Sequence, residues 1–150
     1  VVVPAWYIME FPDWVNIIAI TKKGEFVLIS QYRHALGETH YELCAGVVDK
    51  TDESPMAAAQ RELMEETGFG GGEWTPFMCL SPNPTNHTNH SHTFLAIGVE
   101  KMSDPHQEPS EDIRTYLCTK EEVYDLLKND GIVQALHAAP LWKYFAEHPE

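Results

Sequence analysis

Three glutamates stand at a spacing that would allow them to bind a metal ion together. Glu62, Glu65 and Glu66 are related as i, i+3 and i+4, and side chains at that spacing are neighbours on one face of a helix. Like charges this close repel each other mildly, whereas a hard divalent cation would reverse the sign of the interaction, because magnesium prefers oxygen ligands. Taken alone, the three residues leave two interpretations open: a metal site, or a glutamate-rich helix face in solvent.

The helix that must position these glutamates is predicted over residues 54–67. Ser54 can cap its first turn, and Pro55 falls at the first helical position, where the missing N–H would have no partner in any case. The run Ala57–Ala59 favours helix, and Gly68 stands just past the end, where a left-handed residue commonly terminates a helix. The sequence therefore marks both the start and the end of the helix that carries the carboxylates.

The surrounding chain contains both strands and helices. Two β-rich apolar runs flank a Gly-containing turn at 21–24, which predicts a hairpin, and residues 119–122 form a capping box that opens a helix. The strands are predicted at 14–20, 26–29, 41–48, 93–99 and 113–118, and the two later helices at 119–128 and 132–147. Strands mixed with well-separated helices indicate an α/β layered domain.

Size and charge limit what the chain is expected to bind. It has 150 residues, enough for one domain with a real core, and we predict a single domain over 1–150. The formal net charge of −13 disfavours nucleic acid as a partner, because an acidic chain repels a phosphate backbone. No apolar run is long enough to cross a bilayer, so no membrane partner is expected. The sequence begins at Val1, which predicts a truncated N-terminus.

The three cysteines point to a compartment rather than to a site. Cys44, Cys79 and Cys118 are odd in number and far apart, which argues against a disulfide framework and against a zinc knuckle. Such usage is typical of a reducing compartment, so we expect a cytoplasmic protein. We interpret the cysteines as small buried hydrophobic residues.

The full string around the glutamates resembles the signature box of the Nudix hydrolases. Every position from Arg61 to Phe69 follows the pattern Arg-Glu-apolar-any-Glu-Glu-any-Gly-apolar, and Glu53 stands at the expected distance before it. One departure is visible: the family has five residues between its leading glycine and its first glutamate, whereas six separate Gly46 from Glu53. In this loop Asp52 stands where a second glycine is usual.

The resemblance implies a fold and a set of metal ligands. Nudix enzymes are α/β/α sandwiches around a mixed β-sheet, and the box holds divalent metals, here expected to be Mg²⁺ with Mn²⁺ as an alternative. By position, the metal ligands would be the side chains of Glu62, Glu66 and Glu65 and the main-chain carbonyl of Ala45. The structural residues of the box would be Gly46, Glu53, Arg61 and Gly68, with Arg61 and Glu53 orienting the helix.

A second stretch resembles the ADP-ribose and nucleotide-sugar branch of the family. Residues 31–34 followed by 41–46 carry this likeness, although Cys44 replaces the usual proline. Substrate-binding roles are implied for Arg33, which would contact a phosphate, and for Glu42. A surface arginine at the end of a strand is the alternative for Arg33.

The same branch takes its catalytic base, or a further ligand, from a later acidic loop. In this chain that loop spans 107–114, and the catalytic candidates are Glu111, then Glu108, with Glu65 from the box. A solvated acidic loop is the alternative for either residue. The branch also implies a homodimer, and Trp6 or Tyr7 is a candidate to stack on the base.

A histidine-containing loop is open to two interpretations. His87, His90 and His92 lie close together in the sequence, and the last two alternate as on one strand face. They could bind a metal, but we favour a polar loop on the substrate side that leads into a half-buried strand.

These patterns together predict a metal-dependent hydrolase of a small molecule. It would cleave the pyrophosphate of a nucleoside diphosphate derivative into a nucleoside monophosphate and a sugar phosphate, with ADP-ribose as the leading substrate. The alternatives are another nucleotide sugar such as GDP-mannose, a non-catalytic nucleotide-sensing Nudix domain, and a plain acidic interaction module. The intact set of Glu62, Glu65 and Glu66 argues against the last two, since neither requires all three carboxylates.

Overall fold

The computed structural model describes residues 1–149, which form a mixed β-sheet covered by helices on both faces. The sheet has seven strands in the order β4-β6-β1-β3-β2-β7, with β5 paired to β6. The strands are β1 (Trp14–Thr21), β2 (Phe26–Arg33), β3 (Glu38–Val47), β4 (Phe69–Gly70), β5 (Glu73–Leu80), β6 (Ser91–Lys101) and β7 (Arg114–Cys118). The helices are α1 (Pro55–Thr67), α2 (Lys120–Lys128) and α3 (Ala135–Glu147).

The central strand β1 has a different partner along each part of its length. It runs parallel to β6 and antiparallel to β3, and near its end Ile20 pairs with Phe26 of β2 across the predicted hairpin turn. β3 therefore enters between β1 and β2 beyond the turn and pairs with both. This arrangement brings the end of β3, at Ala45 and Gly46, next to the start of β1 in the middle of the sheet.

Alternation along β1 builds a separate core on each face of the sheet. Val15, Ile17 and Ala19 pack on the side of α1, whereas Ile18 and Ile20 pack on the side of α2 and α3. Side chains alternate across a strand, so a strand that is apolar throughout must be covered on both faces. The predicted α/β/α sandwich is confirmed.

Three stretches differ from the sequence prediction. The strands β4 and β5 were not predicted. β4 has two residues, and β5, whose residues are exposed or half-exposed, gives no apolar periodicity. Within residues 1–149, β5 pairs with β6 alone, and the register shifts just after Pro76. α3 begins at Ala135 and not at 132, because Gln134 caps its first turn by accepting a hydrogen bond from the Leu136 N–H. Within residues 1–149, none of the helices is long and apolar enough to span a membrane.

Candidate active site

Helix α1 begins and ends where the sequence predicts. The Ser54 hydroxyl accepts a hydrogen bond from the Ala57 N–H at 3.1 Å. At the other end Gly68 adopts a φ of 73°, and its N–H donates to the Met64 carbonyl at 2.8 Å. A side chain at Gly68 would overlap the Ser103 carbonyl, so glycine is required there both by conformation and by space.

A second glycine lets the helix approach the sheet. Gly46, near the end of β3, lies directly against the Glu62 side chain, and a Cβ at this position would overlap the Glu62 carboxylate. On its inner face α1 buries Ala58, Ala59 and Leu63 completely against the sheet. The helix is therefore held with its carboxylates facing the end of β3.

The carboxylates of α1 line a cleft of about 370 Å³. The acidic loop after β6 forms its opposite wall, so residues far apart in the sequence meet there. The predicted site residues that line this cleft are Ala45, Gly46, Arg61, Glu62, Glu65, Glu66, Glu108 and Glu111. His106, which the sequence did not indicate, lies among them.

Arg61 forms ion pairs with several carboxylates in and beside this cleft. Its guanidinium contacts Glu62 at 2.8 Å and Glu65 at 3.1 Å, and it also donates to the Val47 carbonyl at 3.0 Å. Two parallel hydrogen bonds, of 3.0 and 2.8 Å, join it to both carboxylate oxygens of Asp52. The pKa of Arg61 is raised above its ordinary value, chiefly by Asp52, so it stays charged and ties the loop before α1 to the helix.

The helix-orienting role predicted for Glu53 falls to its neighbour. Glu53 is exposed and takes part in none of the ion pairs among residues 1–149, whereas Asp52 binds Arg61 with both oxygens. Five residues separate Gly46 from Asp52, which is the family spacing between glycine and glutamate. The extra residue therefore lies after the paired carboxylate and not before it. Counting back from Arg61 along the family pattern leads to Glu53, whereas the acidic residue that contacts Arg61 is Asp52.

Glu66 is the most buried of the three helix carboxylates. It is 4% exposed and accepts hydrogen bonds from the Cys44 thiol at 2.7 Å and the Ala45 N–H at 3.3 Å. Burial, reinforced by the nearby Glu62, raises its pKa to about 8. Burial also raises the pKa of Glu62 to about 6, even though Arg61 opposes the shift. The positive charge in the cleft therefore does not offset the burial of these two carboxylates.

The donors in this cleft fit a hard divalent cation by their chemistry. In the arrangement described for residues 1–149, no three acidic, histidine or cysteine side chains converge closely enough to bind a metal ion. The reason is visible: Glu62 and Glu65 turn toward Arg61, and Glu66 toward Cys44. Carboxylates that outnumber their cations are nonetheless the ligands that magnesium prefers. The pKa values of Glu62 and Glu66 are raised because burial disfavours their charged forms, and a bound cation would offset that cost.

The loop that contributes Glu108 and Glu111 is fastened to the end of α1. The Gln107 side-chain amide donates to the carbonyls of Glu66 and Ile113, at 3.2 and 2.8 Å. Within the loop, a Glu111 carboxylate oxygen accepts from the Glu108 N–H at 3.0 Å. Gln107 is a positioning residue that the sequence did not single out, and a glutamine in an acidic loop was the only signal for it.

The two predicted substrate-binding residues, Arg33 and Glu42, contact each other. Arg33 Nε donates to one oxygen of Glu42 at 2.7 Å, and its Nη2 donates to the other. Glu42 is only 2% exposed, whereas the Arg33 side chain is 44% exposed. The pKa of Arg33 is raised, chiefly by this hydrogen bond. The buried carboxylate therefore fixes the direction of a guanidinium that still reaches solvent.

A second cavity, of about 420 Å³, opens from the first. The two share Ala45, Gly46, Val47, Glu66 and Glu111, so they form one continuous cleft. Arg33 lies on the wall of the second cavity. The far end of this cavity lies between β1 and the start of α3, where Asn16 and His137 contribute to the lining.

Two of the three histidines of the loop before β6 contact Asp13, whereas the third packs against aromatic rings. His92 pairs with Asp13 at 2.8 Å, and the His87 ring lies 4.9 Å from that of Phe11 and 6.4 Å from that of Trp14. His90 contributes its N–H to Asp13 at 2.9 Å. Within the described residues they belong to no cluster that could bind a metal.

Comparison with known proteins identifies the family. Residues 11–137 match the family model of the NUDIX domain. The chain belongs to the Nudix family. Over 98 residues it is 32% identical to an ADP-ribose pyrophosphatase of Mycobacterium tuberculosis, a match that covers 65% of this chain and 47% of the relative. Over 129 residues it is 27% identical to an ADP-ribose pyrophosphatase of Bacillus subtilis, covering 85% of this chain and 69% of the relative.

A solved structure supports the fold. The crystal structure of an ADP compounds hydrolase superimposes with a TM-score of 0.78 over 91% of this chain and 74% of the other, at 24% sequence identity. The Nudix fold and the likeness to the ADP-ribose pyrophosphatase branch are thereby confirmed. The match spans about half the length of the mycobacterial relative.

Proposed function

We propose that this Nudix domain is a magnesium-dependent pyrophosphohydrolase of nucleoside diphosphate derivatives, with ADP-ribose as the leading substrate; manganese is an alternative metal. The observation that carries the proposal is the meeting of Glu62, Glu65 and Glu66 with Glu111 in one cleft that continues into a second cavity. The relatives named ADP-ribose pyrophosphatase support the choice of substrate.

The chain's own residues divide between holding charge and positioning the substrate. Glu62, Glu65 and Glu66, with the carbonyl of Ala45, would hold the cation. When bound, such a cation neutralises the pyrophosphate and lowers the pKa of a coordinated water. Arg33, aligned by Glu42, would donate to a phosphate oxygen from its exposed edge.

Glu111 is the leading candidate for the general base. It lines both cavities, the Gln107 amide holds its loop against α1, and its carboxylate accepts a hydrogen bond from the Glu108 N–H. In this role it would take a proton from the attacking water. The water oxygen bonds to one phosphorus, the bond from that phosphorus to the bridging oxygen breaks, and the other phosphate leaves with that oxygen. The products are a nucleoside monophosphate and a sugar phosphate.

The test is a turnover assay over ADP-ribose and several nucleotide sugars, including GDP-mannose, with magnesium and a coupled phosphatase that reports monophosphate products. The native protein is compared with Glu66→Gln and with the matched control Glu53→Gln, whose carboxylate is exposed and unpaired within residues 1–149. We expect Glu66→Gln to lower kcat/KM on the order of 10²–10⁴-fold, since a catalytic cation supplies several kcal/mol. Glu53→Gln should remain near native.

Each outcome of this assay assigns a function. Turnover of GDP-mannose in place of ADP-ribose keeps the mechanism and changes the substrate. Binding of a nucleotide without turnover of any compound supports the nucleotide-sensing alternative and contradicts the proposal. A good substrate on which Glu66→Gln matches the native protein would show that the metal ligands are wrongly assigned. The cytoplasmic location and the homodimer stay predictions.

A further inference from the structure

The far end of the second cavity differs in chemistry from the end that holds the carboxylates. Its lining includes Asn16 of β1, Ser91 of β6, and Gln134 and His137 at the start of α3. Ser91 and Asn16 are almost fully buried. These groups donate and accept hydrogen bonds but carry no permanent charge, whereas Glu66, Glu111 and Arg33 surround the opening toward the first cavity.

Asn16 fixes this end of the cavity. It is 1% exposed in the middle of an apolar strand, and its side-chain amide donates to the Leu136 carbonyl at 3.1 Å and to the Ser91 hydroxyl at 3.4 Å. Its carbonyl oxygen accepts from the Thr93 hydroxyl at 2.6 Å. The first turn of α3 is thereby tied to the central strand, and His137 takes its position from that attachment.

His137, in the lining of this end of the cavity, has a ring without hydrogen-bond partners among the described residues. It is 5% exposed, and its Nδ1 is enclosed without a partner, so Nε2 is the ring nitrogen that is accessible from the cavity. Burial lowers the pKa of His137 to about 4, so the ring is neutral near pH 7 and offers one donor and one acceptor. Buried polar groups are nearly always paired, and Nε2 can be paired by a ligand that fills the cavity.

We propose that this end of the cavity, at His137, Ser91 and Gln134, is a subsite for the hydroxyl-bearing sugar attached to the diphosphate. The division of charge supports the assignment, because one ligand would place its diphosphate between Arg33 and the carboxylates and its neutral sugar against the neutral groups. A nucleobase fits less well, because Trp14, the aromatic side chain besides His137 in the lining, already packs on Phe11 and His87. The subsite rests on the proposed function, since it deepens the choice of substrate.

The test compares two ligands that cannot be hydrolysed. Titration calorimetry with magnesium would measure the Kd of methylene-bridged ADP-ribose and of methylene-bridged ADP, which lacks the sugar. His137→Phe keeps a ring of similar size and removes both nitrogens. We expect it to weaken the sugar-bearing analogue by about five- to tenfold, the effect of one lost hydrogen bond, and to leave the analogue without the sugar unchanged.

Two controls separate a subsite from a structural effect. His148→Phe replaces a histidine at the other end of α3, far from the cavity, and should change neither Kd. Thermal unfolding by circular dichroism checks the fold of each variant. If His137→Phe does not fold, His137→Gln replaces it; this variant retains a donor and an acceptor and should preserve most of the preference for the sugar-bearing analogue.

The outcomes distinguish this proposal from the proposed function. Equal weakening of both analogues, or of neither, overturns the sugar subsite even if the native protein hydrolyses ADP-ribose. Stronger weakening of the analogue without the sugar would assign this end to the nucleoside and also overturns it. Loss of sugar selectivity in His137→Phe supports the subsite even if the native protein turns over nothing, in which case the proposed function alone fails. Failure of both analogues to bind the native protein contradicts both.

Discussion

For the single residue Glu66, burial lowers the stability of the fold but favours the binding of a cation. Its carboxylate is buried beside Glu62, and the Cys44 thiol and the Ala45 N–H are its hydrogen-bond donors. A charge held in this way is unfavourable without a cation, which is why its pKa rises to about 8. The same burial would strengthen the attraction for a divalent ion, because a low local dielectric amplifies both repulsion and attraction.

The pH dependence of stability follows from this pKa. The folded value of about 8 lies above the ordinary 4.5, so the folded state binds more protons between the two, and the metal-free protein loses stability as the pH rises through that window. Glu66→Gln removes the effect. We expect the variant to exceed the native free energy of unfolding at about pH 9 by at least 1 kcal/mol, since a pKa difference of one corresponds to about 1.4 kcal/mol.

This expectation is measured by urea unfolding with a chelator at about pH 5 and about pH 9. The advantage of Glu66→Gln should shrink at the lower pH, where the native carboxyl is protonated as well. Adding magnesium should then stabilise the native protein at the higher pH more than the variant. An equal difference between the two proteins at both pH values would show that Glu66 is not a strained charge.

Among the elements of the fold, the loop between β3 and α1 is held against the helix by the ion pair between Asp52 and Arg61. Asp52 binds Arg61 with both oxygens and also accepts from the Asp49 N–H at 2.8 Å. Arg61 in turn contacts Glu62 and Glu65. The path of the loop is therefore coupled to the direction in which the helix carboxylates point.

Adjacent acidic residues give a matched test of this coupling. Asp52→Asn replaces the charged partner of Arg61, whereas Glu53→Gln changes an exposed carboxylate outside the ion-pair network of residues 1–149. We expect Asp52→Asn to weaken magnesium binding or kcat/KM by about 10–100-fold, the usual effect of losing a group that orients metal ligands. Glu53→Gln should change neither. A larger effect of Glu53→Gln would restore the assignment made from the sequence.

At the scale of the whole molecule, the N-terminal segment 1–12 lies along the loop before β6 and leaves apolar side chains uncovered. Met9 pairs with His87, and the Trp6 indole donates to the Thr85 carbonyl at 3.1 Å. Nevertheless Trp6, Tyr7 and Ile8 are all more than half exposed. Contiguous exposed apolar surface of this kind commonly marks an interface.

The homodimer implied by the family resemblance can be tested on this segment. We expect sedimentation velocity at micromolar concentration to show a dimer, and the double change Trp6→Ser with Ile8→Ser to shift it toward monomer, because it removes exposed apolar area. The fold should be unaffected, since both side chains are largely exposed. A monomeric native protein at the highest concentration examined would contradict the dimer.

The features of this protein that act locally could be predicted from its sequence. The cap at Ser54, the stop at Gly68 and the spacing of the three glutamates all act within about one or two helical turns. Their outcome does not depend on distant contacts, so helix α1 and its acidic face were predictable. Apolar runs rich in β-forming residues and bounded by turns likewise predicted most strands and, with the box, the layered fold.

The set of residues that meet in the cleft depends on the tertiary structure. The choice of Asp52 over Glu53 depends on the path of a loop around Arg61, because neighbouring carboxylates are equivalent until one of them faces the guanidinium. His137 joins the cleft through Asn16, which is 120 residues from the Leu136 carbonyl that it binds. Contacts across such separations depend on strand register and on helix docking, and these are settled by packing the whole core at once.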